Sequence, residues 1–172
     1  TVGTPPKKDG SADLSAVYTV AKEIAKNLAS HFTVVSCKST VPVGTNIEVE
    51  KILNKNLPKG QSASGGKPTV AVASCPEFLR EGSAIKDTVE PDRVVIGSND
   101  SKAVEVMLEL HKSFPGKRVV TNLPSAELIK YASNSMLAVK ISFANLISFF
   151  CEKTGADVEQ VLDAVGMDKR IG

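Results

Sequence analysis

The longest unbroken pattern of apolar and polar positions runs from Pro124 to Thr154. Apolar residues fall at Leu128, Tyr131, Ala132, Met136, Val139, Phe143, Leu146, Ile147 and Phe150. With Met136 one step late, this is close to the i, i+3, i+4, i+7 spacing of one helical face. Neither Gly nor Pro interrupts the run after Pro124, which suits a first turn; Glu127 favours the positive amino end, and Gly155 offers a stop. The pattern predicts a helix about 46 Å long at 1.5 Å per residue. That is enough to leave one domain and form the spine of another. Asp157 opens a further helix, with Gln160 three residues on as a capping-box partner.

Upstream the period changes repeatedly. Asp13 caps a predicted helix to about Ser30, with Leu14, Val17, Ala21, Ile24 and Leu28 on one side. Phe32 to Cys37 is a β-branched run and reads as a strand, and a helix from Asn46 to about Asn56 follows the turn Ser39 to Thr45. Pro58 to Pro68, rich in Gly, Ser and Lys, reads as a loop. Thr69 to Ser74 and Arg93 to Ile96 read as strands, with an irregular stretch between them holding one helical turn around Phe78 to Ala84. Ser98 or Asp100 caps a helix to about Lys112, and Arg118 to Thr121 is a last strand. Thr1 to Pro6 reads as a strand tail breaking into a turn.

Strands alternating with helices predict an α/β fold, a parallel sheet covered on both faces. The long helix and the start of an all-α region follow, with the boundary placed between residues 1–122 and 123–172. Ligands of such sheets sit beyond the carboxyl ends of the strands. On that rule Thr4-Pro5, Ser39-Thr40, Glu77 to Glu81 and the start of the long helix share one rim.

Composition narrows the picture. A chain of 172 residues builds one domain, or one with part of another, and 42% apolar content permits a sizeable core. The net charge of +2 and the lack of basic runs interleaved with aromatics argue against nucleic acid and acidic membranes. Lys140, Asn145 and the serines of the long helix argue against a lipid span. Cys37, Cys75 and Cys151 are odd in number and widely spaced, so no disulfide framework or metal site is expected, and a reducing cytoplasm fits. His31 and His111 are placed near helix carboxyl ends, easing the dipole.

The predicted rim gathers hydroxyls at Thr4, Ser39 and Thr40, carboxylates at Glu77 and Glu81, and Lys130 with Asn134. Lys130 and Asn134, four apart, share a helical face. Spacing alone leaves open whether they form a solvated stripe or aim together into a cleft. Glu77, beside Phe78 and Leu79, is expected in a half-apolar niche that raises its pKa toward the general-base range. A lone glutamate is usually a surface residue, and the set carries more weight than any member. No GxGxxG, P-loop or nucleophile elbow occurs in the sequence.

Longer motifs say more. Ser39-Thr40-Val41-Pro42-Val43-Gly44-Thr45, the run from Cys75-Pro76-Glu77-Phe78-Leu79 to Asp87, and Pro91-Asp92-Arg93-Val94-Val95-Ile96-Gly97 resemble the UDP-glucose/GDP-mannose dehydrogenase family. So do Ala126-Glu127-Leu128-Ile129-Lys130-Tyr131 through Asn134, Gly155-Ala156-Asp157-Val158-Glu159, and Gly166 to Gly172.

The resemblance implies the second half of a Rossmann-like NAD-binding domain followed by an incomplete central helical region. The glycine-rich turn and the catalytic cysteine would lie outside this chain, which alone is expected to be inactive. It implies oxidation of UDP-glucose at C6, twice, to UDP-glucuronate through a cysteine thioester with NAD as cofactor. Thr40, Glu77, Lys130 and Asn134 take the catalytic roles. Thr40 lines the nicotinamide and water, Glu77 does acid/base work, and Lys130 with Asn134 steadies the C6 oxygen. Thr4, Pro5, Ser39, Thr40 and Glu81 would approach the cofactor. Glu77, Phe78, Leu79, Lys130 and Asn134 would contact the sugar nucleotide. A homodimer or higher homo-oligomer through the central helix is implied as well. GDP-mannose or a UDP-N-acetylhexosamine is the alternative substrate, and an inert dimerisation fragment the alternative of another class. Cys75 stands where the family usually has Asn.

Overall fold

The computed structural model describes residues 2–29, 31–58 and 69–171. The expected loop 58–68, beyond Pro58, lies outside the described residues. The elements are α1 (Ser15–Lys26), β1 (Phe32–Cys37), α2 (Thr45–Asn56), β2 (Thr69–Ser74), α3 (Ala84–Val89), β3 (Arg93–Gly97), α4 (Ser101–Leu110), β4 (Lys117–Thr121), α5 (Leu123–Thr154) and α6 (Val158–Gly166). They form two compact units, Thr1–Tyr131 and Ala132–Gly172.

The sheet of the first unit has the order β1-β2-β3-β4. β1 and β2 run parallel from Phe32↔Thr69 to Cys37↔Ser74. β3 and β4 are also parallel, from Arg93↔Lys117 to Gly97↔Thr121. Between these pairs the sheet departs from the all-parallel expectation, because β2 and β3 are antiparallel and meet only at Ser74↔Gly97, where both end. The short α3 buries none of its residues and so makes no crossover layer to turn the chain back. β3 therefore begins beyond the end of β2 and overlaps it at Ser74↔Gly97 alone. The single rim of four aligned strand ends does not form; that of β1 and β2 does.

Alternate residues of β2 serve opposite faces, as a period of two requires. Val72, with Val70 beside it, packs among Val17, Ala21, Val49, Leu53 and Leu123. Ala73 joins Cys75, Val94, Ile96 and Met107 in the other cluster. α5 thus starts in the core at Leu123, not at the rim. Seven residues carry it about 10 Å along its axis to Lys130. Its first turns pass close to β3: a Cβ on Gly97 would stand 2.4 Å from Ala126 Cβ and 2.7 Å from Asn122 O. Gly97→Ala should therefore destabilise the fold by about 1–3 kcal/mol, as overpacked cores do. Urea unfolding followed by circular dichroism checks this, and an unchanged midpoint contradicts it.

The helical turn expected at Phe78 to Ala84 forms later, at α3. Gly82 takes φ +84°, which breaks a helix there. Asp13 accepts from Ser15 N at 2.9 Å, but α1 ends at Lys26, so His31 lies five residues past it rather than at its end. His111 does cap α4. The amino-terminal segment forms no ladder among the described residues, only an isolated Pro6–Ala12 bridge. In the second unit Asp157 caps α6, accepting from Glu159 N and Gln160 N, and the Gln160 amide donates back to it at 3.3 Å. α5 is long and apolar enough to cross a membrane by length and composition, with a mean hydropathy of 1.3 over its richest stretch. Met136, Val139, Phe143, Leu146 and Phe150 are exposed on it.

Candidate active site

Beyond β1 the chain turns through Ser39 and Thr40 into α2. Buried Val41 anchors this turn, and the Thr45 N–H and hydroxyl both donate to Pro42 O, at 3.1 and 2.6 Å. Gly44 completes it at φ +94°, a left-handed conformation that favours glycine. Thr4 donates its hydroxyl to Thr40 O at 3.4 Å, so these two predicted residues do meet. Ser39 and Pro5 are exposed nearby in sequence. Lys38, which sequence reasoning passed over, ties the two strand ends together by donating to Cys75 O at 3.3 Å.

Beyond β2 the chain leads straight to Glu77. Its Oε1 lies 3.1 Å from Lys130 Nζ, and its Oε2 accepts from Leu79 N at 2.6 Å. The Lys130 side chain is only 6% exposed, against 35% for Glu77. Lys130 therefore belongs to no solvated stripe; its ammonium is buried against a carboxylate 53 residues away in sequence. The Phe78 ring is in contact with two cations, with Arg93 Cζ 4.0 Å and Lys130 Nζ 5.3 Å from its centre. Such contacts are attractive, through the negative face of the ring.

The Glu77 pKa runs opposite to the expectation from its apolar neighbours. Burial pushes the carboxyl up, but the Leu79 N–H, the Lys130 ammonium and the more distant Lys38 together pull it down by more. It rests below its ordinary value. The surrounding loop is stapled by Asp87, which accepts from Arg80 N at 2.9 Å, from the Arg80 guanidinium at 2.6 and 3.1 Å, and from Ser83 Oγ at 2.9 Å. The Arg80 guanidinium holds the Asp87 carboxyl well below the usual carboxylate range.

Glu127 is the residue the sequence misplaced most. It was assigned to the amino end of its own helix; instead it serves the amino end of α2. It accepts from Gly44 N at 2.7 Å, Asn46 N at 2.8 Å and Asn46 Nδ2 at 2.8 Å, and is 2% exposed. Orphan amides and a positive dipole end are natural partners for a carboxylate.

Among the described residues, the other predicted ones make no hydrogen bond to the side chains of the Lys130–Glu77 pair, apart from the Leu79 N–H. Glu81 is exposed, and the backbone between it and Glu77 is not helical. Leu79 engages Glu77 through its backbone N–H while its side chain is exposed. Asn134 is exposed on α5 and belongs to the second unit. Cys75 is buried with Sγ 3.9 Å from both Lys38 Nζ and His111 Nε2; burial pushes its thiol up, and Lys38 offsets that only in part. Among the described residues no group of His, Cys, Asp or Glu is placed to hold a metal ion. An apolar cleft of about 180 Å³ opens between α1 and β1 beside Ser39. Ligand pockets commonly measure about 300–1,000 Å³. Of the three predicted hydroxyl residues, Ser39 lines this cleft.

A two-faced α/β sheet with hydroxyls, a carboxylate and a buried ammonium beyond its strand ends is the architecture of a Rossmann-like domain. Residues 1–115 match the NAD binding domain of the UDP-glucose/GDP-mannose dehydrogenase family, and residues 124–172 match its central domain. The chain belongs to that family. It is similar to the UDP-glucose 6-dehydrogenase TuaD of Bacillus subtilis, 51% identical over 99% of this chain and 35% of the relative. It is likewise similar to the UDP-glucose 6-dehydrogenase of Rhizobium meliloti, 50% identical over 99% of this chain and 38% of the relative. Among solved structures, a UDP-glucose dehydrogenase from Pyrobaculum islandicum superposes with TM-score 0.90 and 43% identity, covering 100% of this chain and 39% of that one. A GDP-mannose dehydrogenase from Pseudomonas aeruginosa follows with TM-score 0.86 and 32% identity, over 98% and 38%. The chain spans little more than a third of the length of these relatives.

Proposed function

We propose that the chain is part of an NAD-dependent dehydrogenase that oxidises UDP-glucose twice at C6, giving UDP-glucuronate through a thioester on a cysteine outside this chain. The observation that carries the reading is the buried Lys130 ammonium, 3.1 Å from Glu77 beyond the end of β2. NAD, when bound, supplies the hydride acceptor. Lys130 spends one of its three N–H donors on Glu77 and has others for the negative charge developing on the C6 oxygen. Glu77, held ionised at neutral pH, accepts the proton or activates the hydrolytic water. Thr40 borders the nicotinamide, with Thr4, Pro5, Ser39 and Glu81 toward the cofactor. Phe78 and Leu79 offer backbone groups to the sugar nucleotide, and Asn134 adds a donor to the C6 oxygen.

Relatives named for UDP-glucose reach 51% identity, whereas the GDP-mannose enzyme is at 32%, which favours the glucose nucleotide over the mannose or N-acetylhexosamine alternatives. The exposed apolar side chains of α5 support a homo-oligomer through the central helix. The three free cysteines agree with a cytoplasmic setting. NADH formation by the full-length protein with UDP-glucose, GDP-mannose and UDP-N-acetylhexosamines tests the reading. Fastest turnover with UDP-glucose is expected, and turnover confined to another sugar nucleotide overturns the substrate assignment.

A further inference from the structure

We infer that Glu127 is a positioning residue that locks the Thr40 turn to the helix carrying Lys130. The inference rests on the dehydrogenase reading of the site. Among the described residues the Glu127 side chain has no hydrogen bond to Thr40 or Lys130, yet it lies three positions before Lys130 on α5. Its partners are Gly44 N, at 2.7 Å from Oε2, and Asn46 N and Nδ2, each 2.8 Å from Oε1. Those partners close the turn that begins at Thr40, and within it Thr45 holds Pro42 O by both backbone and side chain. A displacement of Glu127 is therefore transmitted to Thr40 and Lys130 together.

Two features mark the contact as built for a carboxylate. Both Glu127 oxygens act only as acceptors, toward three N–H groups 81 to 83 residues away in sequence. Asn46 is fully buried and turns its amide nitrogen to Glu127, while its Oδ1 finds no partner among the described residues. A buried acceptor left unmade is unfavourable, so the orientation of Asn46 serves the carboxylate. Glutamine cannot replace it. Its amide offers one acceptor, and its NH2 would face an N–H at Gly44 or at Asn46.

The test compares full-length wild type, Glu127→Gln and Glu127→Asp, the last keeping both acceptors on a shorter side chain. Glu127→Gln is expected to lose kcat about 10- to 100-fold, the scale of a misplaced reacting group. KM for UDP-glucose should change less, and the acid limb of the kcat profile should move to higher pH as Glu77 loses Lys130. Glu127→Asp should fall between, and serves if the glutamine variant does not fold. Wild-type kcat and acid limb in either folded variant, even with a lowered Tm, overturn the inference, since a purely structural contact would leave them unchanged. Should the wild type oxidise no nucleotide sugar, the dehydrogenase reading fails separately. Crystal structures of the variants then decide: a Lys130–Glu77 separation beyond 4 Å supports positioning, and one still at 3.1 Å overturns it.

Discussion

Replacing Lys130 by methionine in the full-length protein should lower turnover of UDP-glucose about 10²- to 10³-fold, the effect of removing one donor from an oxyanion site. Methionine matches the length of lysine and suits an almost fully buried position, so the fold should survive. Glu77 is left without its ammonium, but at 35% exposure it can hydrate. The loss should therefore fall on kcat far more than on melting temperature. Acidity supplies a second readout. With Lys130 present the Glu77 carboxyl sits below its ordinary value, so the pair contributes stability at neutral pH that disappears as pH falls through the folded-state value. Without Lys130, burial is opposed mainly by the Leu79 N–H, and the Glu77 pKa should rise. The difference in Tm between wild type and Lys130→Met should hence be full at neutral pH and close below the usual carboxylate range. A gap that widens on acidification would contradict the assignment.

The second large effect is expected from Glu77→Gln. Loss of a positioned base lowers rates about 10²- to 10⁴-fold. Glutamine keeps the shape and can still accept from Leu79 N. It strands the Lys130 ammonium, however, whose side chain is only 6% exposed. Removing the more exposed partner of such a pair should destabilise the fold by about 1–3 kcal/mol, less than for a pair buried on both sides. The two substitutions should thus differ in kind. Glu77→Gln lowers activity and stability, whereas Lys130→Met chiefly lowers activity. Urea unfolding beside steady-state kinetics separates them, and equal stability losses would show that Lys130 is not the more deeply buried partner.

Much of this was legible in the chain because it is written locally. The run from Pro124 to Thr154 became α5 almost to the residue, since an unbroken helical period needs no tertiary information. Thr40, Glu77 and Lys130 were singled out because polar residues followed strands or gathered on a helix, and the fold places Lys130 against Glu77. What was missed is non-local. Strand direction leaves no trace in periodicity, so the antiparallel meeting of Ser74 and Gly97 was invisible. The downward pKa shift of Glu77 depends on a lysine 53 residues away, whereas its apolar neighbours, adjacent in sequence, suggested the reverse. Glu127 was assigned to the nearest helix end when its partners begin at Gly44. The one available hint was a turn, Gly44 to Asn46, whose amides needed an acceptor that its own residues do not supply.

The most direct measurement is a double-substitution cycle on kcat, combining Lys130→Met and Glu77→Gln in the full-length protein. If ammonium and carboxylate act as one centre, the double variant should turn over no more slowly than the slower single variant. Losses that multiply, or single variants that keep wild-type turnover, would show that the two groups share an ion pair and no chemistry.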